Sequence, residues 1–380
     1  MTNSSAVAPA KSSSAVPYGT LALLLIGSRL VILLIAWLSL FIINKSAFFS
    51  PVAGMLDWFR RWDTDWYIII ATQGYAYDPS AQSSVAFFPF YPLLMGVFSP
   101  LVGGPIVAGY LISNLSLFGS LVFLWKWVFD EYADRELATN TCWFLLIGPV
   151  SFFFSTIYTE SLFLFLCLGC LHFGRKRRWL IAGLLGYCAS LTRNVGVFLF
   201  LPLLWEYFTF WRTADATNRR FSLFSVVCAL LPSLGLITYM GYLWGAFGDP
   251  LAFTHVQFTW ARKLAPFWKV FMPGRIEIME PYFRYWFIGI VIVTVVATAV
   301  GVWLRVRWMS LLIILGPLLL YLSSNNLESI PRYISVLFPL YLIAALLARK
   351  SAFIDKMITA ISVSMLALST IQFVNGYWFT

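Results

Sequence analysis

The sequence predicts an all-α polytopic integral membrane protein, and three observations predict it. Of 380 residues, 60% are hydrophobic and only 11% are charged, against roughly 45–50% apolar and about 25% charged in soluble domains. Mean hydropathy is +0.81. Apolar runs of about spanning length recur along the chain, separated by polar turns. This composition excludes disorder, a coiled coil and a secreted disulfide scaffold, and it argues against a soluble enzyme. Aromatic residues reach 18%, with 17 Trp. Rings in such number point to the bilayer interface or to a lined cavity.

Residues 1–16 are rich in Ser, Ala and Pro and have no apolar face, so they read as a disordered cytoplasmic tail. Residues 18–43 form one apolar run broken only by Arg29. The run is too long for a signal-peptide core and no small-x-small cleavage site follows, which makes it the first membrane helix. A polar, aromatic stretch covers 44–86. The segment FFPFYP (87–92) then leads into a short apolar piece bounded by Pro100, Gly103, Gly104 and Pro105. At about 15 residues it is short for a span and reads as a re-entrant or interfacial helix. Further spans are expected at 105–129, 137–154, 156–174, 179–191, 195–209, 222–245, 284–304, 308–322, 332–348 and 357–375, giving about eleven membrane helices. The expected organisation is one transmembrane domain over 17–380, with long outer loops at 44–86 and 246–283. No internal repeat is visible, which weighs against a repeat-built transporter.

The net charge is +10. If RKRR (175–178) is cytoplasmic, strict alternation places more than half of the 26 Lys and Arg on the same side. The short turns on the other side, around Arg193 and at 323–332, carry one each. That is the positive-inside pattern, and it turns both long loops outward. Scattered basic residues on short loops suit anionic lipid and exclude a nucleic-acid partner. Cys142, Cys167, Cys170, Cys188 and Cys228 all lie in apolar stretches and read as packing thiols. Cys167 and Cys170 have redox or zinc spacing, but His172 alone does not complete a ligand set.

Polar groups away from the cytoplasmic side are few. A charge at the bilayer centre costs about 2.5–3.5 kcal/mol on insertion scales, so each survivor has a reason to be there. In RRWDTDWY (60–67), Asp63 and Asp65 sit two residues apart, about 200° on a helix, so only one can face a given cavity. Trp62, Trp66 and Tyr67 surround them. A carboxylate among rings suits a sugar, since the acid can take a hydroxyl proton while rings cover the apolar sugar face. An interfacial helix with salt bridges to Arg60 and Arg61 fits the same residues. In YTES (158–161), Glu160 is either a catalytic acid or a helix-start residue with Thr159 as cap. In LTRNVG (191–196), Arg193 is either a snorkelling arginine or a phosphate ligand. Residues 248–263 offer Asp249, His255, Gln257, Trp260, Arg262 and Lys263, and ESIPRY (328–333) offers Arg332.

Taken in order, these clusters resemble one family, the PIG-V-like mannosyltransferases of the GT-C superfamily, in its bacterial form. The matching residues are SR (28–29), RWD (61–63), IATQGY (70–75) with AFFPFYP (86–92), YTESLF (158–163), TRNVG (192–196), GDPLAF with Gln257 and Trp260 (248–260), and PRY with FP (331–339). They cover roughly residues 25–345. Eukaryotic members tend to carry His where this sequence has Trp66. The resemblance implies a GT-C-like bundle whose outer loops bear interfacial helices. It also implies a polyprenyl- or dolichyl-phosphate sugar donor and a catalytic carboxylate at Asp63. Mannose as the sugar rests on the resemblance alone.

The expected activity is transfer of a hexose from a polyprenyl-phosphate donor to the hydroxyl of a glycan, glycolipid or glycoprotein acceptor, with inversion. Asp63 is the expected base, with Asp65 and Glu160 as reserve acids. Arg332 and Arg193, with Arg29 and Arg262 behind them, are expected to hold the donor phosphate. Trp62, Tyr67, Asp249, Gln257 and Trp260 are expected to shape the sugar and acceptor site. No cofactor is expected, because fixed arginines can stabilise the departing phosphate; a divalent metal held by Asp63 with Asp65 or Glu160 is the alternative. The expected location is a bacterial plasma membrane with the site on its extracytoplasmic side. A lipid-linked-sugar transporter or flippase, and a non-catalytic assembly subunit, are the alternatives.

Overall fold

A computed structural model describes residues 15–44, 52–213, 222–272 and 281–377. Residues 1–14 of the expected tail (1–16), part of the first long loop (45–51) and part of the second (273–280) lie outside the described residues. Among the described residues every regular element is a helix. They are α1 (Tyr18–Ser39), α2 (Val52–Met55), α3 (Asp63–Gln73), α4 (Phe90–Val102), α5 (Pro105–Tyr132), α6 (Arg135–Leu146), α7 (Glu160–Arg175), α8 (Trp179–Thr192), α9 (Phe200–Thr213), α10 (Leu223–Phe247), α11 (Ala252–His255), α12 (Pro281–Trp303), α13 (Trp308–Leu322), α14 (Ile330–Ser335), α15 (Pro339–Ala348) and α16 (Ala352–Val374). Short 3-10 turns occupy Ser151–Ser155, Asn194–Leu199 and Val256–Trp260.

Six segments are long and apolar enough to cross a bilayer: Tyr18–Ile43, Pro105–Tyr132, Asn194–Thr213, Leu223–Phe247, Arg284–Trp303 and Ala352–Val374. α4, α8, α13 and α15 are shorter apolar helices. The chain is thus a multi-pass membrane protein. Its exposed surface fits, since α1 turns Leu23, Ile26, Leu30 and Leu34 outward, and α12 does the same with Ile292, Val293 and Val296. Such contiguous apolar faces are stable where lipid is the solvent.

Two of the eleven expected spans are broken helices. The run 137–154 begins well, because the Asp134 carboxylate caps α6 by accepting from the Leu137 N–H at 2.9 Å. It stops at Leu146, two residues before Gly148–Pro149, because the residue before a proline is driven out of the helical region. The carbonyls left at this break need donors. Arg29 supplies them, its Nη2 donating to the Leu146 carbonyl at 2.9 Å and its Nη1 to the Ser151 carbonyl at 2.8 Å. The run 332–348 breaks between α14 and α15, where Pro339 opens the second piece. Between α4 and α5 the chain reverses through Gly103 (φ 89°) and Gly104 (φ 122°), a conformation that costs little only without a Cβ.

α7 is the central helix, buried along nearly its whole length and packed against α5, α8 and α9. α8 and α10 pack closely because Gly183 presents bare backbone, where a Cβ would strike the Cys228 carbonyl oxygen. Cys142, Cys167, Cys170 and Cys228 are buried free thiols and Cys188 is half-buried. The two ends of α7 carry different chemistry. Glu160 opens it, and Arg175 closes it beside Glu131 at 3.1 Å. Fifteen rises of 1.5 Å put roughly 22 Å between them. The basic turn 175–178 and the acid of the YTES motif therefore lie at opposite ends of the bundle.

Candidate active site

Helix α3 begins at Asp63, after Trp62 has taken a positive φ of 54° that turns the chain into the helix. The turn is pinned from below, where the buried Tyr158 hydroxyl donates to the Arg61 carbonyl at 2.9 Å. Asp63 and Asp65 then diverge, as their spacing requires. Asp65, with 56% of its side chain exposed, accepts from Arg60 Nε at 2.7 Å. Asp63 turns inward to Arg332, whose Nη1 donates to its Oδ2 at 2.5 Å. Among the described residues nothing hydrogen-bonds the other oxygen, Oδ1, and the side chain keeps 20% exposure.

Arg332 is the middle of a buried ionic chain. Its Nε lies 3.2 Å from Glu160 Oε1, and the same oxygen accepts from Arg193 Nη1 at 3.0 Å. Glu160 and Arg332 are 1% and 7% exposed at the side chain. Thr159 makes no side-chain cap on α7, while Glu160 does stand in its first turn, where the helix dipole favours an acid. Glu160 also sets two guanidinium groups side by side. Charges taken out of water need an opposite charge of this kind or hydrogen bonds that satisfy them. Burial weakens the Arg193 charge, but the Glu160 carboxylate outweighs it and leaves the guanidinium above its ordinary value.

Above this chain opens a cavity of about 360 Å³. Its walls come from α3, the 84–88 turn, the α8–α9 turn, the 253–264 segment and the 320–333 turn. Asp63, Tyr67, Arg193, Gln257, Trp260, Arg262 and Arg332 all line it, joined by Lys263, Glu328 and Tyr333. Tyr333 is a ring shared by three cations, with Arg193, Arg332 and Arg262 at 5.1, 5.4 and 5.8 Å from its centroid. One wall is aromatic. Trp260 meets Phe87 and Trp66 edge-on at 6.1 and 6.3 Å, and Tyr67 meets Phe87 at 5.4 Å. Four cationic side chains line the cavity against two carboxylates, and Glu160 behind the wall makes three. The surplus positive charge suits an anionic ligand beside a polar, ring-covered one.

Other expected site residues lie elsewhere. Arg29 spends its donors on the α6 break, Asp65 faces away, and Trp62 packs against the core. Asp249 ties two loops together, accepting from the Tyr77 hydroxyl at 2.7 Å with His255 Nδ1 also 2.7 Å away. Burial raises the Asp249 pKa, but hydrogen bonds from His255, Tyr77 and the Leu251 N–H outweigh it and leave the carboxyl below its ordinary value. Glu328 and Tyr333 were not singled out by sequence, although both flank Arg332 in a polar turn between apolar runs. Burial pushes the Glu328 carboxyl up, partly offset by Asn326 and Arg262. Burial likewise raises the Tyr67 phenol, with Asp63 adding to the shift. Among the described residues no group of three His, Cys, Asp or Glu is placed to hold a metal ion.

Residues 38–246 match the family described as Mannosyltransferase (PIG-V). Over 205 residues, half of this chain, the sequence is 25% identical to GPI mannosyltransferase 2 of Drosophila pseudoobscura pseudoobscura, covering 44% of that protein. Over 164 residues, 38% of this chain, it is 30% and 31% identical to GPI alpha-1,6-mannosyltransferase 2 of Cricetulus griseus and Mus musculus, covering 31% of each. The matched segment thus spans less than half of these relatives.

Proposed function

The chain belongs to the PIG-V mannosyltransferase family, and from that premise we propose a membrane glycosyltransferase that moves a hexose, mannose by its family, from a polyprenyl-phosphate donor to an acceptor hydroxyl with inversion. The acceptor is a glycan, glycolipid or glycoprotein. The observation that carries the reading is one cavity holding Asp63, an aromatic wall and a surplus of fixed cations.

Arg332 holds Asp63 Oδ2 and leaves Oδ1 to receive the acceptor hydroxyl proton as the oxygen attacks the anomeric carbon. The bond from that carbon to the phosphate oxygen breaks as the new bond forms, and the lipid phosphate leaves as an anion. Arg193, Arg262 and Lys263 stand in the cavity to stabilise that charge without reorganising. Trp260 and Phe87 offer apolar ring surface to the sugar. The positive-inside pattern supports a cavity on the extracytoplasmic side, and we read the membrane as a bacterial plasma membrane.

The test is mannose transfer from a mannosyl-phosphoryl polyprenol in membranes carrying Asp63→Asn. A positioned base contributes about 10²–10⁴-fold, and a loss of that size is expected. Asp65→Asn should stay within about twofold, since an exposed pair contributes little. Loss in Asp65→Asn with activity kept in Asp63→Asn would move the base. Full activity in both would end the mechanism.

A further inference from the structure

Glu328 is a buried carboxylate that the transfer mechanism above leaves unused. It is 7% exposed, lines the cavity, and has no ion-pair partner among the described residues. Asn326 holds it by a fork, its Nδ2 donating to Glu328 Oε2 at 3.1 Å and its Oδ1 accepting from the Glu328 N–H at 2.8 Å. The same Nδ2 donates to the Trp260 carbonyl at 3.0 Å. Further bonds lace the two segments together. The Lys263 N–H donates to the Ser324 carbonyl at 3.0 Å, the Ala265 N–H to the Ser323 carbonyl at 2.9 Å, and Arg262 Nη2 to Ser329 Oγ at 3.3 Å. The Glu328 carboxylate and the Trp260 backbone are therefore tied through Asn326, and both residues line one cavity. The turn that presents Glu328 is costly, with Asn325 and Ser329 at φ 55° and 66°. Strain of this kind persists where the surroundings fix it, and functional sites are where it collects.

We propose that Glu328 and Trp260 form a hexose-recognition subsite, in which Glu328 Oε1 accepts hydrogen bonds from neighbouring sugar hydroxyls and the Trp260 ring lies against the apolar sugar face. Asn326 is a positioning residue that fixes the other oxygen. A buried acceptor with one oxygen spoken for and one open is the arrangement that discriminates, because a ligand without the matching hydroxyl leaves it unpaired. The assignment rests on the glycosyltransferase reading, and it names the residue that reads the sugar as opposed to the one that takes the proton.

The test compares binding of short-chain polyprenyl phosphate, with and without a mannosyl group, to the full-length protein in detergent. Glu328→Ala is expected to lower the preference for the mannosylated lipid by about 10- to 100-fold, the size of one or two hydrogen bonds to a charged group. Glu328→Gln should lose less. Both should bind the bare polyprenyl phosphate as the wild type does, which also reports a folded cavity. A second arm measures binding of methyl α-mannopyranoside. Loss there, with the lipid preference intact, would place the subsite on the acceptor sugar. Unchanged binding of both sugar probes in Glu328→Ala overturns the assignment and leaves the reaction standing. A wild type that binds neither sugar probe overturns both.

Discussion

Glu160→Gln removes one charge from the centre of the buried ionic chain while keeping the side chain's shape. Glu160 Oε1 serves both Arg193 and Arg332. After the change Arg332 still has Asp63, so Arg193 is the orphan. Removing one partner of a buried pair costs about 3–5 kcal/mol. Arg193 has its ring contacts with Tyr333 at 5.1 Å and Phe163 at 5.7 Å before and after the change, so they do not alter the difference. The Gln amide oxygen can still accept from Arg193, which sets the cost at the low end, about 3 kcal/mol. At about 2 °C per kcal/mol, the low end for larger domains, Tm should fall by about 6 °C. Asp63→Asn should cost only about 1 kcal/mol and ~2 °C, because that carboxylate is partly exposed and Arg332 retains Glu160. The assay is thermal unfolding of detergent-purified protein, followed by the surviving monodisperse fraction. The double change Glu160→Gln with Arg193→Gln should recover part of the loss, since no bare charge remains. An unchanged Tm in Glu160→Gln, or a larger fall in Asp63→Asn, would refute Glu160 as the structural anion of the site.

Two further outcomes follow from the packing and from the loops. Gly183→Leu should lower Tm by about 2–6 °C, from ~1–3 kcal/mol of overpacking at the α8–α10 seam, where the Cys228 carbonyl leaves no room for a side chain; an unchanged Tm would show that the seam is loose. Asp249→Asn weakens the tie to Tyr77 and His255, so amide exchange over 250–262 should speed up by about 5- to 10-fold, the size of one hydrogen bond. Because the folded pKa of Asp249 is depressed, this tie is fully present above the ordinary carboxylate pKa and fades as pH falls through the depressed value. The variant and the wild type should therefore exchange alike in strong acid and differ at neutral pH, and an equal difference at both would assign the effect to another group.

How much of the site was legible can be seen residue by residue. The spacing of Asp63 and Asp65 forces them apart on any helix, and the structure sends Asp65 to Arg60 and Asp63 to Arg332. Which of the two faces inward depends on the turn at Trp62, and no local pattern encodes that turn. Arg29 drew attention as the lone charge in an apolar run. Its partners are carbonyls more than 110 residues away, exposed by a helix break that only Pro149 hinted at. Glu328 stands four residues before Arg332 in the sequence, but its burial and its link to Trp260 arise from the lacing of two distant turns.

The sequence by itself determined the membrane class, the segregation of basic turns to one end, and the set of polar residues among which a site must be found. Those properties follow from composition and periodicity, because solvation by lipid acts on each residue where it stands. Only the tertiary structure decided which of those residues share a cavity and which cap a helix or brace a loop. Pairing energies fall off within a few ångströms, so a charge acquires its role from whichever neighbour the fold brings into reach.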